Sequence, residues 1–367
     1  MAIGLYIHVP FCKRKCPYCD FYSVCISSLS ENNYVDGVIR NIEKYKGVDI
    51  DSIYWGGGTP SILSEISYQR IFSAIKANFK LIEPEISLEA NPCSADIKKL
   101  EFLRNVGFNR ISFGVQSCID TELEKLGRLH NFEQAKQAII NADKAGFENI
   151  SADLMLGIIG QNSKSLRYSI SKLAELPLTH VSAYMLKIEK NTPYYTDSII
   201  ESVPDEDETA DLYLHAISEL EANGFLQYEI SNFAKPGFEC RHNLKYWRCE
   251  EYIGIGPSAH SFYKWKRYEV PRSLGEFITS EFQNEIVNEE RPHTFEEVAM
   301  LRLRLAEGLS KSTCEEFDVD FDKIIQKAEP LEKAGLVKIY DDRVIITKKG
   351  FLVSNSITLY LIYNTYD

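Results

Sequence analysis

The sequence LYIHVPFCKRKCPYCDF, residues 5–21, holds three cysteines in one short stretch. Cys12, Cys16 and Cys19 have a C-x3-C-x2-C spacing and follow an apolar run at residues 4–9. Such a run indicates a buried strand, and the loop after a strand is where α/β proteins place their chemistry. Three thiolates on a four-iron cluster leave one iron open to a small molecule. The residues alone also allow free thiols, or a zinc site completed by His8 or another side chain.

Length and composition limit the class of protein. The chain has 367 residues, a net charge of −12 and nine cysteines. This length suits one large α/β domain and a smaller one, and the acidic balance disfavours a nucleic-acid binder. With no signal peptide before the first strand, nine cysteines predict a reducing, cytoplasmic location and a metal site rather than disulfides. No stretch approaches the ~20 apolar residues of a membrane span, which leaves only peripheral membrane contact open.

Short apolar runs alternate with amphipathic stretches from residue 4 to about residue 186. The predicted strands are residues 5–9, 52–55, 85–89, 110–115, 149–156 and 180–186. The predicted helices between them are residues 32–45, 67–78, 94–105, 132–145 and 163–175. This alternation predicts a parallel sheet covered by helices. On the residues alone, the sheet is either a partial barrel or an open, doubly wound sheet.

The pattern changes in the second half of the chain. Residues 206–223 predict a helix, and an irregular stretch rich in aromatic and basic residues follows. Predicted helices at 295–305 and 321–334, with a hairpin of residues 336–340 and 344–347, resemble a winged-helix domain. In so acidic a chain we expect a packing module rather than a DNA reader. The predicted domains are residues 1–190, 191–290 and 291–367.

Several candidate ligand-binding residues lie at the ends of predicted strands. The sequence Gly-Gly-Gly-Thr-Pro at residues 56–60 follows the second strand. Its glycines allow close backbone approach to a ligand, although a tight turn explains them equally well, and the lysine of a phosphate-binding loop is missing. Glu89, Gln116 and Asp153 end or lie in the next three strands. Polar side chains at successive strand ends face one mouth and can converge on one ligand.

A second candidate binding motif is the sequence HNLKYW at residues 242–247. Residues 235–272 around it hold eight Lys or Arg, four Glu and eight aromatic residues. Flat rings suit a porphyrin face, cations suit its propionates, and histidine is a common haem ligand. The alternatives are a structural His242 in a packed loop, or a zinc site of Cys240, His242 and Cys249. Residues 254–260 are predicted to be a glycine-rich turn that closes the barrel, with His260 a second haem candidate.

The cysteine spacing, with an aromatic residue before the last cysteine, resembles the radical S-adenosylmethionine (SAM) superfamily. Residues 6–12 with Asp20 and Phe21 resemble the oxygen-independent coproporphyrinogen III oxidase family, and the HNxxYW pattern resembles its HemW-type haem chaperone branch. True oxidases carry a fourth cysteine at the position of Phe21 and an N-terminal extension, whereas eleven residues precede Cys12 here. The resemblance implies a partial (β/α)6 TIM-like barrel with a small C-terminal winged-helix-like domain.

The resemblance also implies ligands and a function. It implies a [4Fe-4S] cluster on Cys12, Cys16 and Cys19, and haem at His242. The implied SAM contacts are Tyr6, Gly57, Gly58, Thr59, Glu89, Gln116, Arg128 and Asp153. The expected function is a haem chaperone that delivers haem to haem proteins such as respiratory enzymes. The alternative is a coproporphyrinogen III oxidase that converts propionates to vinyl groups by radical SAM chemistry. No catalytic residue is assigned, and the sequence does not decide whether the chain is an enzyme.

Overall fold

A computed structural model of the chain describes residues 2–289 and 292–363. Its first half alternates strands and helices as the sequence predicts. The elements are β1 (Ile3–Val9), β2 (Phe11–Cys12), β3 (Val24–Cys25), α1 (Ser28–Lys44), β4 (Asp49–Gly57), α2 (Glu65–Asn78), β5 (Lys80–Ala90), α3 (Ile97–Val106), β6 (Arg110–Gln116), α4 (Asp120–Lys125), α5 (Phe132–Lys144), β7 (Asn149–Leu156), α6 (Ser163–Ala174) and β8 (His180–Met185). The long strands β1, β4, β5, β6, β7 and β8 pair in parallel in this order.

The strands of this sheet bury both faces, which is typical of parallel sheets. In β4, Trp55 faces the helices and packs against the ring of Phe72 with centroids 5.7 Å apart. Successive side chains of a strand point to opposite faces. Ser52 and Tyr54 therefore face the inside of the curved sheet, where they contact His242 and Glu89. The inner face is polar, and the functional side chains lie there.

The middle of the chain extends the same sheet at both edges. Its elements are α7 (Asp197–Ile200), α8 (Glu206–Ala222), β9 (Leu226–Glu229), β10 (Asn232–Ala234), α9 (Arg241–Trp247), β11 (Tyr252–Ile255), β12 (His260–Tyr263), β13 (Lys266–Glu269), α10 (Leu274–Thr279) and β14 (Ile286–Glu289). The sheet order is β14-β13-β12-β11-β1-β4-β5-β6-β7-β8-β10-β9. The two ends of this order are different strands, so the described residues form a partial barrel, and the barrel expectation is confirmed.

The prediction that residues 254–260 form a turn is wrong for the start of this stretch. β11 pairs in parallel with β1, with Ile253 opposite Leu5. A side chain on Gly254 would lie 2.1 Å from the backbone oxygen of His260, so only glycine fits in this strand. Glycine weakens the strand signal in the sequence, and the turn itself begins at Gly256, where φ is +114°.

The C-terminal part forms a small separate sheet with helices around it. Its elements are α11 (Phe295–Arg302), β15 (Leu309–Ser310), α12 (Lys311–Glu316), α13 (Phe321–Lys333), β16 (Val337–Tyr340), β17 (Arg343–Ile346), α14 (Lys348–Phe351) and α15 (Ser354–Ile362). The strand order β15-β17-β16 places the predicted hairpin as the wing of a winged-helix-like domain. The division of the chain at residues 190 and 290 stays a prediction. Within residues 2–289 and 292–363, no helix has both the length and the apolar character needed to cross a bilayer.

Candidate functional site

One cavity opens where the carboxyl ends of the parallel strands meet. Its volume is about 630 Å³, within the usual range of small-molecule sites. Because parallel strands end at one edge of the sheet, residues far apart in the sequence share its wall. The structure brings together all of the predicted cluster and SAM residues except Tyr6. Those on the wall are Cys12, Cys16, Cys19, Gly57, Gly58, Thr59, Glu89, Gln116, Arg128 and Asp153.

The three cysteines lie in a loop that is held at both ends. The short strands β2 and β3 pair in parallel with Cys12 opposite Cys25. The backbone N–H of Cys19 donates to the carbonyl oxygen of Cys16 at 3.1 Å. All three thiols are free and partly buried, and burial raises the pKa of the Cys19 thiol. Three thiols on one loop beside an open cavity fit a four-iron cluster with one iron left free.

The glycine-rich loop packs against the cysteine loop. The N–H of Thr59 donates to the carbonyl oxygen of Phe11 at 2.7 Å, and its hydroxyl lies 3.5 Å from the sulfur of Cys12. A side chain on Gly58 would lie 2.6 Å from the same carbonyl oxygen, and Gly57 has a φ of +104°. Only glycine meets both conditions without strain. The loop therefore presents backbone rather than side chains to the cavity.

Two carboxyl groups face the cavity from neighbouring parts of the sheet. Glu89 accepts hydrogen bonds from the Tyr54 hydroxyl at 2.9 Å and from the N–H of Gly57 at 3.2 Å. Asp153 accepts one from the Ser112 hydroxyl at 3.1 Å. Burial, reinforced by the nearby Asp153, raises the pKa of Glu89 to about 7, and burial also raises the pKa of Asp153. A cation in the cavity would favour the charged forms, so this wall suits a positively charged ligand.

Arg128 supplies the opposite charge on the wall. Its Nη2 donates to the carbonyl oxygen of Gly114 at 2.6 Å, and its Nη1 lies 3.4 Å from the sulfur of Cys16. Its buried Nε has no hydrogen-bond partner among the described residues. Because guanidinium groups bind carboxylates through such donors, Arg128 is placed to bind an anionic group. Gln116, nearby, has a φ of +72°, an uncommon conformation that recurs at functional sites.

Tyr6 is not among the residues that line the cavity, and its predicted SAM contact stays a prediction. Its hydroxyl lies 3.1 Å from Nδ1 of His8. Its ring stacks on Tyr54 with centroids 6.3 Å apart and an interplanar angle of 24°. A side chain on Gly56 would lie within 3.2 Å of Tyr6, Tyr54 and Glu89 together, so Tyr6 packs directly beside the wall. Tyr6 therefore supports the wall and does not form it.

His242, the predicted haem ligand, is fully buried in the floor of the barrel. Its Nδ1 shares a hydrogen bond with the Ser52 hydroxyl at 3.0 Å, and its Nε2 shares one with the Tyr246 hydroxyl at 2.8 Å. Burial lowers its pKa to about 3, so the ring is neutral. With both ring nitrogens occupied and no exposed surface, His242 has no free position for iron in this structure. In this arrangement His242 is a packed side chain, and its role as a haem ligand stays a prediction.

The rest of the HNLKYW motif closes the floor and joins it to the C-terminal part. Nζ of Lys245 lies 3.0 Å from a carboxylate oxygen of Asp51 and 2.9 Å from one of Glu250. The guanidinium carbon of Arg304 lies 5.8 Å from the ring centroid of Trp247. These contacts cross from α9 to β4 and to the segment after α11. These contacts are what the packing alternative predicts, and the role of the motif in haem binding stays a prediction.

The two zinc sites that the sequence left open lack a matching group of ligands among the described residues. Among residues 2–289 and 292–363, no three His, Cys, Asp or Glu side chains come together around the position of a single metal ion. This includes the three loop cysteines, which a four-iron cluster would bind through three different irons. The sulfur of Cys240 lies 3.6 Å from a carboxylate oxygen of Glu85 instead. His260, the second haem candidate, is exposed at the start of β12, and it is the more accessible of the two histidines.

Sequence reasoning missed two features of the site. Tyr54 holds Glu89 in place, and the available signal was its position on the inward face of β4, just before the glycine loop. The exposed rim of the cavity carries Phe21, Tyr184 and Met185. The sequence marked Phe21 only as the position of the fourth cysteine of the oxidases, and no local pattern marks Tyr184 or Met185, because the three come together only at the strand ends.

The comparisons with known proteins first define the class. The radical SAM superfamily model matches residues 6–173, which contain the cysteine loop and the glycine loop. The model of the HemN C-terminal domain matches residues 290–353. The fold of coproporphyrinogen III oxidase HemN from Escherichia coli superimposes with a TM-score of 0.81 over 99% of this chain and 90% of that one, at 21% identity. The chain is a radical SAM protein with a HemN-type fold.

Relatives with curated names identify the family. "Heme chaperone HemW" of Bacillus subtilis is 34% identical over 375 residues, which cover 96% of this chain and 97% of that protein. "Heme chaperone HemW" of Lactococcus lactis is 33% identical, with coverages of 96% and 95%. That of Escherichia coli is 37% identical over 264 residues, or 70% of this chain and 69% of that protein. The chain belongs to the HemW family.

Proposed function

We propose that this chain is a haem chaperone that carries a [4Fe-4S] cluster and SAM, binds haem and delivers it to a haem protein such as a respiratory enzyme. The observation that carries the proposal is the similarity, over nearly the whole chain, to relatives from different bacteria that are all named haem chaperones. Phe21 adds local support. It is 67% exposed on the cavity wall, at the position where the resemblance places the fourth cysteine of the oxidases.

Different residues of the cavity hold the cluster and SAM. Cys12, Cys16 and Cys19 hold the cluster, which when bound supplies an open iron for the methionine end of SAM. Glu89 accepts hydrogen bonds from the amino group of SAM, beside the backbone of the glycine loop. Arg128 pairs with the carboxylate of SAM through its unpartnered Nε. This assignment matches the amino and carboxylate groups of SAM with opposite charges on the wall.

Gln116 and Asp153 complete the proposed SAM site. Both lie on the cavity wall, and Asp153 shares its side of the barrel with the Ser112 hydroxyl that donates to it. Their amide and carboxylate groups offer hydrogen bonds to the ribose hydroxyls. Asp153 also lies close enough to Glu89 to raise its pKa, so the two carboxylates share the positive charge of the ligand.

We place haem at the rim of the same cavity. Phe21 and Met185 expose apolar surface there, and Arg14, Lys15 and Arg272 line the same cavity. Flat apolar surface suits a porphyrin face, and the cations suit its propionates. Arg272 and the exposed His260 both lie within electrostatic reach of His8. An accessible histidine beside a cationic rim supports His260 rather than His242 as the iron ligand.

The proposed location is the cytoplasm. All nine cysteines are free thiols, and a site of three thiolates persists in a reducing compartment. Peripheral contact with a membrane belongs to the same proposal. Its local support is Trp265, which is 69% exposed at a hairpin tip between Lys264 and Lys266, a composition that suits anionic membrane surfaces.

The second candidate is a coproporphyrinogen III oxidase, favoured by the fold that the chain shares with that enzyme of Escherichia coli. One experiment separates the two functions. The cluster is reconstituted anaerobically, its iron content and SAM binding are verified, and the reduced protein is incubated with SAM and coproporphyrinogen III. A haem-loaded sample is mixed in parallel with an apo-haem protein. We expect haem transfer and no vinyl products, whereas catalytic turnover to vinyl products would overturn the chaperone proposal.

A further inference from the structure

A continuous stack of rings links the barrel floor to the cavity wall. The ring of His242 stacks on that of Tyr54 with centroids 5.5 Å apart and an interplanar angle of 25°. The ring of Tyr54 also stacks on that of Tyr6, with centroids 6.3 Å apart. The hydroxyl of Tyr54 donates to Oε1 of Glu89 at 2.9 Å, and both Tyr54 and Glu89 line the cavity. His242 in the floor is thus linked through Tyr54 to Glu89, the carboxylate proposed to bind SAM.

His242 is held so firmly that it can act as a fixed support. Its ring shares hydrogen bonds with Ser52 and Tyr246, and its N–H donates to Glu85 at 3.2 Å. Ser52 lies on the same inward face of β4 as Tyr54, so the histidine contacts both residues of that face. A side chain on Gly4 would lie 3.0 Å from the His242 ring, so the ring has no room to move toward β1.

We infer that His242 is a positioning residue that orients Glu89 for SAM through the ring and hydroxyl of Tyr54. This inference rests on the proposed SAM site at Glu89. The alternative partner of Glu89, the N–H of Gly57, binds the other oxygen at 3.2 Å, so Tyr54 alone fixes Oε1. Without the imidazole, Tyr54 faces a void on one side and its hydroxyl is free to turn away from Glu89.

The test is a double-mutant cycle on SAM affinity. Full-length chain with a reconstituted cluster is titrated with SAM by calorimetry as wild type, H242A, Y54F and the double variant. Each single variant is expected to bind SAM roughly tenfold more weakly, the size of a lost hydrogen bond to a charged group. Because His242 acts through Tyr54, the double variant should bind no more weakly than Y54F. Additive losses, or an unchanged affinity of Y54F, would overturn the inference.

His180 provides a matched control. It is also buried, and its ring shares hydrogen bonds with the hydroxyls of Ser151 at 2.8 Å and Tyr228 at 2.9 Å. H180A should lower the thermal stability in the manner of H242A but leave the SAM affinity within about twofold of wild type. An equal loss of SAM affinity in H180A would mean that any damaged floor weakens binding, and the specific role of His242 would be lost.

Two further outcomes keep the inference separate from the function on which it rests. If H242A does not fold, H242Q replaces it, because glutamine keeps a polar partner for Ser52 but lacks the ring that supports Tyr54. The expected weakening of SAM binding is then the same. If the wild type itself binds no SAM, the proposed SAM site is wrong. If the wild type binds SAM and H242Q binds it equally well, only the positioning role is wrong.

Discussion

The protonation of Glu89 should make the free energy of unfolding depend on pH. Its pKa rises from 4.5 to about 7 through burial and the nearby Asp153. Between these pH values Glu89 binds more proton in the folded chain than in the unfolded one, so its own contribution to the free energy of unfolding falls as the pH rises and levels off above about pH 7. Glu229, whose pKa burial also raises to about 7, contributes a slope of the same sign, and buried histidines with a lowered pKa, such as His180, contribute the opposite one. We therefore expect E89Q to change the slope by the share of Glu89 and to stabilise the cluster-free chain near pH 8, relative to wild type, by about 1–2 kcal/mol, a value discounted for solvent in the cavity. Urea unfolding between about pH 5 and pH 8 measures both effects.

The exposed Glu83 on the same strand is the control, because E83Q should keep the wild-type slope. An E89Q chain with the same slope would mean that Glu89 ionises normally. The predicted residues that line the cavity, such as Cys12 and Glu89, lie in contiguous motifs or at strand ends. Tyr6 and His242 lie away from its wall, because the layer of the barrel that each ring occupies decides what it contacts. Strand register sets that layer, and no local pattern reveals it.

The helix α9 is the element whose ends depend most on distant residues. Its first residues donate backbone N–H groups to the buried carboxylate of Glu85, from Arg241 and His242, both at 3.2 Å. Cys240, at the N-cap, provides no side-chain cap. We expect E85A to lower the free energy of unfolding by about 1–3 kcal/mol, because two buried donors lose their acceptor. Thermal unfolding followed by circular dichroism provides the measurement.

The matched variant E83A changes an exposed glutamate two residues earlier and should stay within about 0.5 kcal/mol of wild type. Equal stabilities of E85A and E83A would show that α9 needs no cap from β5.

The dependence of α9 on Glu85 explains why the sequence did not predict this helix. Its seven residues carry no capping residue of their own, whereas long helices such as α5, with a capping box at Asn131, were found almost to the residue. β11 was missed for a similar reason, since its strand character comes from pairing with β1.

On the scale of the whole molecule, α9 joins three parts of the chain. Its residues contact β4 through Ser52 and β5 through Glu85, and Arg248, at its C-cap, joins the C-terminal part through an ion pair with Glu307. The sequence predicted the strand–helix alternation and the C-terminal hairpin because both have a regular period, but contacts between distant parts leave no periodic signal. Freeing His242 for iron would break the hydrogen bonds of its ring to Ser52 and Tyr246, which hold α9 against β4. Haem should therefore bind without displacing α9.

Hydrogen–deuterium exchange tests this expectation directly. The backbone amides of residues 241–247 should remain as protected with haem as without it, because the proposed haem position at the rim leaves their hydrogen bonds intact. Residues 14–21 of the rim should become more protected, and H260A should reduce that gain. H242A provides the control for a loosened floor, since its amides in α9 should exchange faster with or without haem. Faster exchange in α9 of the wild type upon haem addition would instead mean that the helix opens and that His242 reaches the iron after all.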